Sequence, residues 1–287
     1  MSATEHEKKL SGGVAVITGA GNGIGAEFAR RAAHLGMTVI VADINIESAH
    51  AVAQGIRDSG GKADARKVDV MKDSELEHLA DYVFSKYGSV RLLINNAGLQ
   101  TLGAVWEVSA ERWEKTLRVN LHGVIHGIRA FVPRIIASGD EAWVANLSSG
   151  GGFNMAAGQN PYSVTKSAVI SFTEGLFLDV KLAEAPIHVS CVTPSLIKSR
   201  IFDVLSDGEE PVQGASYRKT MQDLMAAHGS DAVEAAEIML RGIAAGKFWV
   251  SNIPEQIKAM MEHRGNALLN GDDPEMPEGV KAIFDFK

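Results

Sequence analysis

The stretch Val16-Ile17-Thr18-Gly19-Ala20-Gly21-Asn22-Gly23-Ile24-Gly25 decides the fold. The apolar run Val14-Ala15-Val16-Ile17 leads into it and a helical pattern from Ala26 to Leu35 leads out, so the glycines occupy a turn between strand and helix. Glycine in such a turn lets backbone approach a ligand closely, and the free N–H groups at the helix start bind an anion such as a pyrophosphate. The spacing departs from the common dinucleotide fingerprint, because Ile24 stands where its third glycine would fall. What it fits is Gly-x3-Gly-x-Gly, carried by Gly19, Gly23 and Gly25, with Asn22 and Ile24 between them.

Outward from this turn, short apolar runs alternate with helical patterns. Thr38 to Ala42 reads as a strand and Glu47 to Ser59 as a helix. Next come Ala65 to Val68, a helix through Ser74 to Tyr87, and the strand Leu92-Leu93-Ile94. A long helix from Ala110 to Ile136, the strand Trp143 to Leu147, a helix from Pro161 to Leu182 and the strand Ile187 to Val192 complete the series. Unalternating apolar strands separated by helices give an α/β fold with a doubly wound parallel sheet, the Rossmann arrangement. After Pro194 the rhythm is lost over about 199–230, an expected substrate lobe with Gly, Pro and Met and no clear strand. A helix from Asp231 to Ala244, a strand at Phe248-Trp249-Val250 and a helix from Pro254 to Leu269 follow. The expectation is a flexible N-terminus over 1–10, one domain over 11–253, and a C-terminal helix and tail over 254–287.

Composition narrows the function classes. With 46% hydrophobic and 22% charged residues the 287-residue chain can bury a core. A formal charge of −7 argues against nucleic acid or an anionic membrane as partner. The polar start, Met1 to Lys9, has no signal-peptide character, and no run approaches a membrane span. One cysteine, Cys191, forbids an intrachain disulfide, and a cytoplasmic protein is expected.

Asp43 ends the second strand, 18 residues after Gly25, where a carboxylate accepts hydrogen bonds from ribose hydroxyls and repels a 2′-phosphate. Neither Asn22 nor Ile44 brings the positive charge that NADP would need, so NAD is expected over NADP. Asp69 and Val70, after the third strand, are candidates for the adenine edge. Tyr162 and Lys166 lie four apart on one helix and share a face. A free tyrosine, with a pKa near ~10, is too weakly acidic to serve as a base at neutral pH, but an adjacent ammonium and an oxidised nicotinamide favour the phenolate. Ser149 follows the fifth strand, at the carboxyl edge where open α/β sheets bind ligands, and its hydroxyl can hold the same substrate oxygen.

Thr18-Gly19-x3-Gly23-Ile24-Gly25, Asn95-Asn96-Ala97-Gly98, Asn120, Ser149 and Tyr162-x3-Lys166 occur in one order and spacing. Over about residues 10–200 the sequence resembles the short-chain dehydrogenase/reductase family. The resemblance implies Tyr162 as acid/base, Lys166 lowering its pKa and holding the nicotinamide ribose, Ser149 orienting the reacting oxygen, and Asn120 supporting a proton-relay water. It also implies that Asn96, Ala97 and Gly98 border the adenosine ribose and that Ile197 and Ser199 meet the nicotinamide carboxamide. The usual Pro-Gly after the sixth strand is Pro194-Ser195 here, which puts a different path for that backbone in play.

The implied reaction interconverts a secondary alcohol and a ketone. Phe153, Met155, Phe202, Leu205, Tyr217, Met221 and Met225 suggest an apolar substrate pocket. The runs Asn120 to Gly127 and Val192 to Ser199 are similar to bacterial Cα-dehydrogenases that oxidise benzylic alcohols of lignin-derived aryl ethers, which makes an aromatic alcohol the expected substrate. A dinucleotide-binding regulator without turnover, and an epimerase or dehydratase on the same fold, are the alternatives. His122 and His126 lie four apart but lack the H-E-x-x-H pattern and a third ligand, so no metal is expected. Relatives pair through the two long helices, which implies a homodimer or homotetramer.

Overall fold

The structure, a computed structural model, describes residues 3–203 and 211–275. Leu205 and the end of the expected tail, 276–287, lie outside the described residues. Seven strands form one parallel sheet: β1 (Val14–Thr18), β2 (Thr38–Asp43), β3 (Lys62–Lys67), β4 (Leu92–Asn95), β5 (Ala142–Leu147), β6 (Ile187–Val192) and β7 (Trp249–Val250). Their order is β3-β2-β1-β4-β5-β6-β7, so the chain reverses direction of travel between β1 and β4 and opens a crevice there. Every residue of β1, β4 and β5 is buried, as continuous apolar runs covered on both faces require.

Helices α2 (Gly23–His34), α3 (Ile46–Asp58) and α9 (Ala232–Ala244) cover one face, where Phe28, Val52 and Met239 pack with Ile17, Ile94 and Trp143. On the other, α4 (Asp73–Tyr87), α6 (Gly123–Ser138) and α7 (Asn160–Leu182) bury Leu76, Phe131 and Leu176 against Val16, Leu93 and Val144. The side chains that alternate along each strand therefore feed two separate cores.

Three regions differ from the sequence reading. Within the segment expected to be flexible, 1–10, residues Glu5–Lys8 form α1, capped by a reciprocal pair in which the Thr4 hydroxyl accepts from the Glu7 amide and Glu7 Oε2 accepts from the Thr4 amide (2.8 Å). Glu7 is fully buried and pairs with Arg31 of α2 at 2.8 Å, and Arg31 pairs in turn with Glu237 of α9 at 2.8 Å. The expected helix from Ala110 to Ile136 is broken, with α5 (Ala110–Leu117) joined to α6 by a π turn over Arg118–His122. The lobe contributes α8 (Val212–His228), whose Tyr217 and Met225 pack with Leu102 and Phe202 in a third, small core. The last described element is α10 (Pro254–Asn270).

Candidate active site

The carboxyl ends of β1, β4, β5 and β6 frame a cavity of about 860 Å³. Its first end is the glycine turn. Gly19 has φ +63°, a left-handed conformation that favours glycine. A Cβ on Gly25 would collide with the Gly19 carbonyl and the Asn96 carboxamide, so the helix start and the turn close on each other only without a side chain. Asn96 fastens this arrangement: its Nδ2 donates to the carbonyls of Thr18 (2.9 Å) and Gly19 (3.0 Å), while its own amide donates to Thr18 Oγ1 (3.0 Å). Asn22 at the N-cap of α2 makes no side-chain capping bond, and Asn22, Gly23, Ile24 and Gly25 all face the cavity. Orphan N–H groups of a helix start then meet the open space, which fits an anionic pyrophosphate.

Asp43, 6% exposed, is fixed at the end of β2 by the backbone amides of Gly21 (2.8 Å to Oδ2) and Asn45 (2.9 Å to Oδ1). A carboxylate has about four lone-pair positions, and two remain for hydroxyl donors. Ile44, Asp69 and Val70 line the cavity beside it, and Ala97 and Gly98 line the floor toward β4. A Cβ on Gly98 would sit 3.5 Å from both Lys166 Nζ and Asn120 Oδ1, in ordinary contact, so this part of the floor lies directly beside both side chains.

At the other end, α7 carries Tyr162 and Lys166 while the turn after β5 carries Ser149. Ser149 Oγ accepts from the Gly151 amide (3.1 Å), and a Cβ on Gly151 would lie 3.4 Å from Tyr162 Cε1 and 3.6 Å from Ser149 Oγ. The two hydroxyl side chains thus flank one small gap. Burial pushes the Tyr162 phenol above its ordinary value, and the hydrogen bond with Ser149 opposes that rise. Lys166 Nζ donates to the Leu147 carbonyl (2.8 Å) and lies 5.6 Å from the centre of the Tyr162 ring. Burial lowers Lys166 to about 8. A protonated Lys166 beside the ring favours the phenolate over the phenol.

Ser149, Tyr162 and Lys166 therefore converge, and Ile197 and Ser199 line the same cavity from the loop after β6. Asn120 differs. Fully buried in the π turn, it accepts from the Leu99 amide (2.9 Å) and donates to the Leu99 carbonyl (3.0 Å) and Thr165 Oγ1 (3.1 Å). Its carboxamide clamps the loop after β4 to α7, which leaves its side chain engaged with protein rather than turned to the cavity. Ser195 donates its amide to Asn252 Oδ1 (3.0 Å) and its hydroxyl to Gln256 Oε1 (3.1 Å), so the departure from Pro-Gly ties this loop to α10. His126 Nδ1 meets the Val70 carbonyl (3.0 Å) with His122 beside it at 6.2 Å. Among the described residues no group of three or more His, Cys, Asp or Glu is placed to hold a metal.

Sequence reading missed part of the wall. Gln100 donates to Gln159 (2.8 Å), which donates to Tyr217 of α8, and Met260 of α10 lines the same cavity. Gln159 was within reach of inspection, three residues before Tyr162, but nothing local ties Met260 to the site.

A family model described as short chain dehydrogenase matches residues 13–210. The chain belongs to that family and is an oxidoreductase. It is 33% identical over 202 residues to the cyclohexanol dehydrogenase of an Acinetobacter species, covering 70% of this chain and 79% of that one. It is 29% identical over 276 residues to the C alpha-dehydrogenase of a Sphingobium species, covering 93% and 90% of the two chains. A short chain dehydrogenase/reductase from Burkholderia phymatum, solved in complex with NAD, superposes with a TM-score of 0.89 at 29% identity, covering 93% of this chain and 98% of that one. No described helix is long and apolar enough to cross a membrane.

Proposed function

We propose that this chain is an NAD-dependent dehydrogenase that interconverts an apolar, aromatic secondary alcohol and its ketone in the cytoplasm. The observation that carries the reading is one cavity with Asp43 and the glycine turn at one end and Ser149, Tyr162 and Lys166 at the other. Bound NAD supplies the acceptor for the hydride that leaves the carbinol carbon. Tyr162, as phenolate, takes the hydroxyl proton as the C–H bond breaks and the C=O bond forms; in reduction it returns that proton. The Ser149 hydroxyl holds the same oxygen. Lys166 favours the phenolate through its charge and has N–H groups beyond the one spent on Leu147 for a ribose hydroxyl. Asn120 acts as a positioning residue, fixing the loop with Gly98 against α7.

The two free acceptor positions on Asp43 suit a 2′-hydroxyl and oppose a 2′-phosphate. Arg66, on the adjoining strand, is held by Asp64 (2.9 Å) and stacks 3.5 Å from the centre of the Tyr82 ring. Leu196, Ile201, Phe202, Met221 and Met225 give the far end of the cavity an apolar lining, which supports a substrate with an aromatic or alicyclic body. The Cα-dehydrogenase relative favours the benzylic member of that class. Exposed Leu178 and Leu182, 66% and 87% accessible on α7, support a homo-oligomer with a dimer as its minimum.

The test is a panel of benzylic, alicyclic and straight-chain secondary alcohols with NAD and NADP supplied separately. Benzylic alcohols with NAD are expected to give the highest kcat/KM, and a preference for sugars or for NADP overturns this reading. Tyr162→Phe is expected to lower kcat by at least about 10³-fold while the Kd for NAD stays within about threefold. A regulator would bind NAD with no turnover in the unaltered chain.

A further inference from the structure

The loop after β5 reads Ser149-Gly150-Gly151-Gly152, and its glycines have separate uses. Gly151 leaves room between Ser149 and Tyr162. Gly150 faces α10: a Cβ built there would stand 3.1 Å from Ile257 Cδ1 and 3.3 Å from Met260 Sδ, so both side chains would have to give by a few tenths of an ångström. The C-terminal helix therefore lies directly against the backbone next to Ser149. Ile257, buried, points into this contact and anchors the helix, whereas Met260, one turn further, is partly exposed and lines the cavity.

Three polar ties hold the helix in that place. Ser195 Oγ donates to Gln256 Oε1 (3.1 Å), and Asn252, just before α10, accepts from the Ser195 amide (3.0 Å). Arg264 Nη1 donates to the Phe153 carbonyl (3.3 Å) at the far side of the glycine turn. The helix is thus tied to loops on both sides of the gap in which Ser149 and Tyr162 meet. Met260 is the one α10 residue on the cavity wall among those described.

We propose that Met260 sets substrate selectivity by limiting the bulk of the group attached to the reacting carbon beside Ser149, with the Ser195–Gln256 bond holding α10 as a fixed wall. The inference rests on the secondary-alcohol reading above. The Met260 side chain occupies the cavity wall next to Gly150 and Ser149, so on an α10 that is held in place it leaves room for a small substituent and opposes a longer chain. The serine in place of glycine at 195 then has a purpose, because a glycine would leave Gln256 without its hydroxyl partner.

The experiment compares 1-phenylethanol with 1-phenylbutan-1-ol, which differ only in the length of the smaller substituent. Met260→Ala is expected to raise the ratio of kcat/KM for the longer alcohol over the shorter by on the order of tenfold. Met260→Phe is expected to lower that ratio, and Gln256→Leu to raise it by a smaller factor. Calorimetric binding of acetophenone and 1-phenylbutan-1-one to each protein saturated with NAD gives the same comparison without turnover, because the oxidised cofactor has no hydride to give the ketone. A ratio within twofold of the unaltered protein in both Met260 variants overturns the proposal. Ketone binding that follows Met260 in a chain that turns over no alcohol supports the wall and refutes the oxidoreductase mechanism.

Discussion

Lys166 has two demands on it that pull in opposite directions. In the proposed reaction its charge favours the Tyr162 phenolate, yet burial lowers it to about 8 from the ordinary 10.5. Below pH 8 the folded protein carries a buried ammonium at a cost. Between pH 8 and 10.5 the folded side chain is neutral while the unfolded chain still binds the proton, so stability contributed by this residue rises with pH across that window. The full difference is about 3 kcal/mol. Urea unfolding of cofactor-free protein at pH 7.5 and 10.5 is expected to show it as a change in the gap between the unaltered chain and Lys166→Met; a constant gap means that Lys166 is not desolvated. At this scale the sequence was informative wherever a residue acts on its neighbours in one element, as Tyr162 and Lys166 do four apart on α7. Asn120 was less legible, because where its carboxamide points depends on a π turn that no periodicity records.

Among elements, α1 has the largest gap between its sequence and its role. Four polar residues, Glu5–Lys8, read as a loose end, and the capping pair of Thr4 and Glu7 was the only local sign of a helix. What fixes it is Arg31, 24 positions away, which donates to Glu7 at 2.8 Å inside the protein. Burial raises the Glu7 pKa, but the Thr4 amide and the Arg31 guanidinium more than offset this and hold it below the ordinary value of 4.5. A lowered carboxyl pKa contributes stability that is present above the unfolded value and lost as pH falls through the folded one. Glu7→Ala removes one of the two carboxylates that meet Arg31, leaves Glu237 as the other, and opens the Thr4–Glu7 capping pair, and is expected to cost about 1–3 kcal/mol. Thermal unfolding at neutral pH checks this, with the loss shrinking below pH 4. β1, β4 and β5 were readable because fully buried parallel strands are largely apolar, whereas the edge strand β3, Lys62–Lys67 with Ala65 alone buried, was expected three residues later. The break between α5 and α6 and the whole of α8 were not readable, since tertiary contacts decide both.

For the molecule as a whole, Leu178 and Leu182 leave an apolar strip along the outside of α7, the same helix whose inner side carries Tyr162. Replacing both with Glu is expected to convert an oligomer to monomer in light scattering. The doubly wound parallel sheet was legible outward from the glycine turn, whereas the order of its strands and the crevice between β1 and β4 came from the structure. Of the far wall, Tyr217, Met221 and Met225 of α8 were legible as apolar pocket residues, but Met260 was not, because α10 arrives more than 80 residues beyond Lys166 and carries no motif.

The ion pairs that begin at Glu7 also bear on how this protein is made. Glu7 meets Arg31 early in the chain, but Glu237 and Arg241 of α9 complete the cluster only after about 230 further residues have been joined. At roughly 5–20 residues per second on the ribosome, the first helix waits on the order of 10–50 s for its last partners. The clasp between the start and end of the domain therefore closes only on a nearly finished polypeptide, and a product truncated before residue 237 lacks one of the two carboxylates that meet Arg31.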